Sequence, residues 1–247
     1  MNNILSEQQS IRYSRHLLLK EFGGINQEKL LSAKVLIIGV GGLGCASAMY
    51  LAAAGVGTLG LADPDIVDLS NLQRQLLHYS SDIDRLKVVS ASEKLKQINL
   101  DSQTHVIAER IDEKNALDYI SQYDFIIDAT DNFDAKFFIN DCCVSLQKPF
   151  SHAGVLQFLG QVMTVIPKKT ACYRCVFGQK PEGIPSCGRY GVLNTLPGFI
   201  GTIQATEAIK YITGIGELLT DTLLTVDMRN FNIKKIQIKN KGCSICG

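Results

Sequence analysis

Four glycines lie within one hexapeptide, Gly39-Val40-Gly41-Gly42-Leu43-Gly44. It follows an apolar run and precedes an alanine-rich one, and in that context glycines let a backbone approach phosphates at a helix N-terminus. Asp63 lies 24 residues after Gly39, at the end of the next predicted strand, where a carboxylate can accept hydrogen bonds from a ribose. A tight turn with an acid at a strand end is the plain alternative. Alone, these residues fit an NAD-dependent oxidoreductase and an ATP-using enzyme about equally.

Polar and basic residues farther along the chain favour the ATP user. Asn71 and Arg74 lie in the segment 65–75, and Lys87 follows it. These residues offer two cations to a phosphate chain. Displacement at phosphorus is catalysed largely by positioned positive charge and a metal, whereas hydride transfer needs no such clamp. Singly, each cation would be an ordinary surface charge, so it is their order along the chain that supports the interpretation.

Two carboxylates stand where the fourth predicted strand ends, in Asp128-Ala129-Thr130-Asp131-Asn132. Open α/β sheets bind ligands at the carboxyl edge of their strands. An aspartate there can hold Mg²⁺, a hard ion that prefers carboxylate, water and phosphate oxygens. Either aspartate could instead cap the helix predicted to begin near Phe133.

Two C-x-x-C pairs, Cys172/Cys175 and Cys243/Cys246, are separated by 67 residues. They predict one tetrahedral Cys₄ zinc site closed by the return of the chain. A redox dithiol and unrelated core thiols are the alternatives, but a redox C-x-x-C would not explain the second pair. With four thiolates and no open position, the zinc would be structural.

The other four cysteines are Cys45, Cys142, Cys143 and Cys187. The first three fall on predicted helices, where small apolar packing is the default interpretation. Cys187 is different, because it lies in a glycine-bearing stretch beside Arg189, which would favour a thiolate. It is either a mobile nucleophile or a passive loop cysteine. The four histidines show no ligand spacing and are interpreted as ordinary polar positions.

The residues whose side chains could take part in chemistry must be positioned by alternating strands and helices. Such alternation predicts a Rossmann-like α/β fold, a mostly parallel sheet with helices on both faces, extended by an antiparallel C-terminal part that carries the zinc site. The predicted strands are Lys34–Ile38, Gly60–Ala62, Thr104–Ala108, Phe125–Ala129, Gly160–Ile166, Leu223–Val226 and Lys234–Ile238. The predicted helices are Ser6–Phe22, Leu43–Ala54, Arg85–Ile98, Lys114–Ser121, Gly201–Thr213 and one beginning near Phe133.

Composition excludes several classes of protein. The chain has 247 residues, with 25 basic and 24 acidic side chains, so it lacks the electrostatic footprint of a nucleic-acid binder. No apolar run approaches the ~18 residues that would predict a membrane span, and no signal peptide is evident. We therefore expect a cytoplasmic protein with one main domain.

Several of the short motifs described above occur along the chain in the order found in one family of enzymes. The sequence resembles the ThiF/MoeB/HesA adenylyltransferases, relatives of the ubiquitin-activating enzymes, over nearly its full length. The matching blocks are Arg12–Arg15, Gly39–Gly44, Ser70–Gln75, Lys87, Asp128–Asn132, Cys172–Cys175 and Cys243–Cys246.

The resemblance implies a homodimer whose single domain has a nucleotide-binding half, 1–150, and a carrier-binding, zinc-bearing half, 151–247. It implies that Arg15 reaches into the neighbouring subunit's site. The substrate would be a small ubiquitin-like sulfur-carrier protein ending in Gly-Gly, whose carboxylate attacks the α-phosphate of ATP. Sulfur would come from a separate sulfurtransferase, for thiamine, molybdopterin or another pathway. The residues implied to bind ATP·Mg²⁺ are Gly41, Asp63, Asn71, Arg74, Lys87 and Asp131.

Related alternatives remain. A member of the same family could adenylate a modified tRNA base, although the near-neutral charge and the C-terminal cysteines disfavour this. A catalytically inactive nucleotide-binding scaffold is disfavoured because Arg15, Arg74, Lys87 and Asp131 are all present. In ThiF-like proteins a cysteine placed like Cys187 can become linked to the carrier, while MoeB-like proteins can work by adenylation alone.

Overall fold

One eight-stranded sheet organises the computed structural model, which describes residues 5–179, 190–239 and 242–246. The spatial order is β3-β2-β1-β4-β5-β6-β7-β8. Strands β3, β2, β1, β4 and β5 run parallel, and β6, β7 and β8 continue the sheet in antiparallel pairs. The strands are β1 Lys34–Ile38, β2 Thr58–Ala62, β3 Gln103–Ile107, β4 Phe125–Asp128, β5 Phe150–Leu156, β6 Leu159–Val165, β7 Thr222–Asp227 and β8 Asn232–Gln237.

Helices cover both faces of the sheet, as the alternating sequence predicted. They are α1 Glu7–Arg12, α2 Ser14–Leu17, α3 Gly23–Ser32, α4 Gly42–Ala54, α5 Lys87–Ile98, α6 Ala116–Ile120, α7 Phe133–Ser145, α8 Tyr173–Phe177 and α9 Thr195–Thr213. Two short 3₁₀ turns, Leu69–Asn71 and Ser80–Asp82, interrupt the segment between β2 and α5. Among the described residues, no helix is both long and apolar enough to cross a membrane.

The core has two layers, one on each face of β1. Val35 and Ile37 pack in a cluster with α4, α5 and α9, whereas Leu36 and Ile38 pack in a second cluster with α6 and α7. Successive side chains of a strand point to opposite faces, so a strand buried on both faces reads as a continuous apolar run. This is why β1 could be located from sequence alone.

Several parts of the fold differ from the sequence prediction. The opening helix is broken at Tyr13, whose hydroxyl donates to Asp101 Oδ2 (2.9 Å) and accepts from Asn99 Nδ2 (2.8 Å). Helices α3 and α8 and strand β5 were not predicted. The last long helix begins at Thr195 rather than at Gly201, because Pro197 is tolerated in a first helical turn.

Helices α4 and α9 approach each other at backbone distance. A Cβ built at Gly201 would lie 2.4 Å from the carbonyl oxygen of Leu43. Ser47 Oγ donates to the Gly201 carbonyl at 2.9 Å and so joins the two helices. Gly198, on the same helix, has no heavy atom within 4 Å of such a Cβ.

These two glycines allow a matched test of the helix contact. Gly201→Ala should lower the free energy of unfolding by about 1–3 kcal/mol, because the added methyl meets backbone that cannot rotate away. Gly198→Ala should leave it unchanged or raise it by up to about 1 kcal/mol through helix propensity. Urea denaturation measures both, and equal effects at the two positions would contradict the close approach.

Candidate active site

The carboxyl ends of β1, β2 and β4 meet at one edge of the sheet, since Ile38 aligns with both Ala62 and Asp128. A cavity of about 1070 Å³ opens there and extends along the sheet to β7 and β8. Seven of the predicted binding residues line it: Gly39, Gly41, Gly42, Asp63, Arg74, Lys87 and Asp131. Gly44, Asn71 and Arg15 do not line this cavity.

The two ends of the glycine turn, Gly39 and Gly44, require glycine for different steric reasons. Gly39 has φ +96°, and a Cβ there would also lie 2.7 Å from the Ala129 carbonyl oxygen. A Cβ at Gly44 would lie 1.9 Å from the carbonyl oxygen of Gly39. Gly44 therefore lets α4 fold back on the turn, although it does not reach the cavity.

Gly41 differs, because a Cβ there would meet no protein atom closer than 3.6 Å. It is the N-cap of α4, and within the described part of the chain no side chain makes a capping hydrogen bond at this end of the helix. The first N–H groups of a 13-residue helix, α4, are thus available at the cavity wall, where the helix dipole favours an anion.

Asp63 braces the turn. Its Oδ2 accepts from the Val40 N–H (2.7 Å), and its Oδ1 accepts from the Asp65 N–H (2.9 Å). Burial raises the pKa of this carboxyl, while Lys87 and the two N–H groups oppose the rise. Each carboxylate oxygen keeps a further acceptor position, so the predicted contact with a ribose is compatible with these bonds.

The two predicted cations are held by neighbours. Lys87 Nζ lies 2.9 Å from Asp65 Oδ2, with the lysine side chain 8% exposed and the aspartate side chain 64% exposed. Arg74 Nη1 donates to the Ser70 carbonyl at 3.1 Å. Asn71 accepts from the Asp68 N–H through Oδ1 and so stabilises the loop that carries Arg74.

The acidic segment 128–132 divides into distinct roles. Asn132 caps α7 by accepting from the Ala135 N–H at 2.9 Å, so the expectation that Asp128 or Asp131 might cap this helix is wrong. Asp131 lines the cavity. Asp128 is fully buried and bonded to Thr130 and His152, so Asp131 is the carboxylate of this segment that lines the cavity.

Two histidines are more than ordinary polar positions. His78 is buried and lies 3.1 Å from the Val40 carbonyl and 2.9 Å from Ser90 Oγ. His152 is buried against Asp128. Sequence reasoning missed both, as it missed Lys136, which donates to the Ala153 carbonyl. The available signal was a polar side chain inside an apolar run, with no indication of its partner.

The four predicted zinc ligands come together. All four sulfurs lie within 4.8 Å of one another, with Cys172–Cys243 at 3.6 Å, Cys175–Cys246 at 3.4 Å and Cys243–Cys246 at 3.4 Å. Tetrahedral zinc with bonds of about 2.3 Å places its sulfurs about 3.8 Å apart. The donor set and its geometry therefore fit one zinc ion with no open position. Cys187 lies outside the described residues.

A glycine turn at the carboxyl edge of an open parallel sheet, facing an acid and two cations, defines a nucleotide-binding α/β protein. The sequence model of the ThiF family matches residues 13–245, and the chain belongs to this family. It is 39% identical over 239 residues to the SAMP-activating enzyme E1 of Haloferax volcanii, covering 96% of this chain and 88% of that protein.

Other relatives agree with this assignment. The adenylyltransferase and sulfurtransferase MOCS3 of Culex quinquefasciatus is 40% identical over 246 residues, covering 98% of this chain. The chain spans 56% of that relative, and about half of the MOCS3 proteins generally. The structure of Escherichia coli MccB with ATP superposes with a TM-score of 0.86 at 25% identity, covering 99% of this chain and 75% of MccB. These matches place the chain among the adenylyltransferases.

Gly41 provides a test of nucleotide binding that is separate from folding. Gly41→Ala should weaken the affinity for ATP·Mg²⁺ by at least about tenfold, or about 1.4 kcal/mol, because the added methyl would occupy the cavity wall without clashing with protein. Calorimetric titration measures this, with Gly24→Ala as the control, since a Cβ there meets no atom within 4 Å and Gly24 lies outside the cavity. Unchanged affinity in Gly41→Ala would exclude a phosphate from this turn.

The cysteine cluster predicts one zinc ion per chain. Cys243→Ser should lose the metal and increase amide exchange in α8 and the C-terminal segment more than in β1 or α4, because the ligands join those two segments. Elemental analysis and hydrogen exchange measure these effects, with Cys142→Ser as a control outside the cluster. Freshly purified protein without zinc would overturn the site.

Proposed function

We propose that this chain uses ATP to adenylate the C-terminal carboxylate of a ubiquitin-like protein, giving an acyl-adenylate and pyrophosphate. The observation that carries the proposal is the single cavity shared by the glycine turn, the two cations and Asp131. A carboxylate substrate needs charge neutralisation more than it needs a base, and the cavity offers the cations Lys87 and Arg74 without an adjacent nucleophile–base pair of its own among the described residues.

The proposed step moves no proton. A substrate carboxylate is already ionised at pH 7, so its oxygen can form a bond to the α-phosphorus while the bond to the bridging oxygen of pyrophosphate breaks. The N–H groups at the start of α4 hold phosphate oxygens, and Lys87 and Arg74 balance the charge that passes to the leaving group. Asp131 would hold Mg²⁺, which when bound supplies further charge neutralisation.

Lys87 would need to change partners in this scheme. In the described structure its ammonium pairs with Asp65, a largely exposed carboxylate. A phosphate of the nucleotide would replace that carboxylate without leaving the buried ammonium unpaired, and an unpaired charge would be costly. Asp65 thus keeps Lys87 in place until nucleotide arrives.

The cavity offers room for more than a nucleotide. It continues from Asp131 past Gly154 and Gly160 to Thr225 and Lys234. We infer that the extended C-terminal tail of the carrier lies in this continuation. The Gly-Gly end of that tail has no side chains and would need little room beside the sheet. The names of the relatives, which refer to SAMP activation and to MOCS3, support a sulfur carrier of the ThiS or MoaD kind as the partner.

The proposal includes a second copy of the chain. Arg15 is exposed on α2 and lies outside the cavity of its own chain. It would supply a cation to the partner subunit's site in a homodimer. A separate sulfurtransferase would then act on the adenylated carrier in the cytoplasm, and Cys187 is the candidate for any covalent link to the carrier.

Carrier-dependent ATP–pyrophosphate exchange tests the proposed function. Asp131→Ala and Arg74→Ala should each lower the exchange rate by ~10²-fold or more, the size expected when an electrostatic contact to the transition state is lost. Asp118→Ala, on the exposed face of α6, is the matched control and should exchange at the wild-type rate. Exchange that is intact in both site variants, or that depends on tRNA instead of a carrier, would refute the proposal.

A further inference from the structure

A buried carboxylate at the end of β4 joins three elements. Asp128 Oδ1 accepts from both the N–H (3.1 Å) and the hydroxyl (2.7 Å) of Thr130. Its Oδ2 accepts from His152 Nδ1 at 2.9 Å and lies 3.6 Å from Lys136 Nζ. Both Asp128 and His152 have side chains only 1% exposed. This carboxylate does not line the cavity, so we consider the residues that it binds, Thr130, His152 and Lys136.

The protonation states at this contact follow from its surroundings. Burial alone would raise the pKa of Asp128, but Lys136, His152 and Thr130 outweigh it and lower the pKa to about 2. Burial and the charge of Lys136 lower the pKa of His152 to about 4. The imidazole is therefore neutral near pH 7. Because a carboxylate can only accept, the proton of the ring must be on Nδ1.

The ring of His152 is fixed from its other side by Tyr173, whose ring centroid lies 4.1 Å away. The Tyr173 N–H in turn donates to Asn140 Oδ1 on α7 at 2.8 Å. His152 Nε2 has no hydrogen-bond partner among the described residues. Within the described residues, the hydrogen bond to Asp128 is therefore the polar contact of the His152 ring, and its other contacts are packing contacts.

The other oxygen of Asp128 fixes the turn that leads to the cavity. Thr130 immediately precedes Asp131, and both of its donors bind the same carboxylate oxygen. Asp128 and His152 are also aligned directly across β4 and β5. If the donor on His152 were removed, Oδ2 would be left with Lys136 alone, and the carboxylate could turn toward the lysine and release Thr130.

We propose that His152 is a positioning residue for the adenylation site: by holding Asp128 it fixes the Thr130 turn, and this turn places Asp131 in the cavity. The inference deepens the proposed function and rests on it for the role of Asp131. His152 does not touch the nucleotide. Its effect passes through two hydrogen-bonded side chains, so it depends on the donor at Nδ1 and not on the bulk of the ring.

Two substitutions separate the donor from the bulk. In His152→Asn the amide nitrogen can occupy the position of Nδ1 and donate to Asp128, although the ring is lost. In His152→Leu the apolar packing against Tyr173 is kept and the donor is lost. His105→Leu is the control, since His105 is exposed on β3, outside the cavity.

The expected result is a loss in His152→Leu that His152→Asn restores. The leucine variant should lower kcat for carrier-dependent exchange by about ten- to a hundredfold and raise the Mg²⁺ concentration needed for half-maximal rate, since small misplacements of a site residue have effects of this size. The asparagine variant should lie within about threefold of wild type. Urea denaturation of both variants shows whether activity follows the donor or merely follows stability.

Hydrogen exchange of the Thr130 amide provides a readout independent of activity. Its protection should fall in His152→Leu and persist in His152→Asn and in His105→Leu. The positioning role would be overturned if amide protection and the Mg²⁺ requirement were unchanged in His152→Leu. An equal loss of protection and an equal rise in Mg²⁺ requirement in both His152 variants would overturn it as well. Wild-type protein without carrier-dependent exchange would refute the proposed function instead, and the amide measurement would still decide whether His152 holds the turn.

Discussion

The alignment of β2, β1 and β4 is the constraint on which the site depends. Ile38 pairs with Ala62 on one side and with Asp128 on the other, so all three strands end at the same level. The chain continues from these ends into the glycine turn, into Asp63 and into the acidic segment. Residues far apart in sequence therefore meet without any of them needing a long side chain. A shift of one residue in either pairing would move a strand end by about 3.3 Å and turn its side chains to the opposite face.

Close backbone approach then sets the shape of the cavity wall. Gly44 brings α4 against the turn, and Gly201 brings α9 against α4. Both backbone polar groups of Val40 are bonded, its N–H to Asp63 and its carbonyl within hydrogen-bond distance of His78. The two successive peptide groups at Val40 are thus both fixed, so the turn has little freedom to move when a ligand arrives. Preorganisation of this kind is what an electrostatic site requires, because its dipoles then need not reorganise.

Elements with a pattern complete within one segment could be located from the sequence, whereas elements that depend on distant partners could not. Strands such as β1 were located because both faces are apolar, and the cysteine pairs because their spacing matches a tetrahedral ion. Strand β5 was missed because Ser151 and His152 interrupt its apolar pattern. The His152 imidazole is tolerated in the core because Asp128 binds it. Gln204 of α9 donates to the backbone carbonyl of Ser151, whose hydroxyl has no hydrogen-bond partner among the described residues. A pattern within one segment cannot reveal a partner that only the tertiary fold supplies. For the same reason, the sequence predicted Asp131 as a site residue but gave no indication of what holds it.

The C-terminal segment returns to α8, and a zinc ion bound between these two segments would also limit the conformational entropy of the unfolded chain. One zinc ion bound by all four cysteines would join residues 172–175 to residues 243–246 and enclose α9, β7 and β8 in a covalently continuous loop. A cross-link over a loop of about 70 residues removes conformational entropy equivalent to roughly 4 kcal/mol from an unfolded chain, by the relation used for disulfides. Unlike a disulfide, this link is made of bonds that exchange with free metal in solution. The stability of the carboxyl-terminal part would therefore depend on the zinc activity of its surroundings.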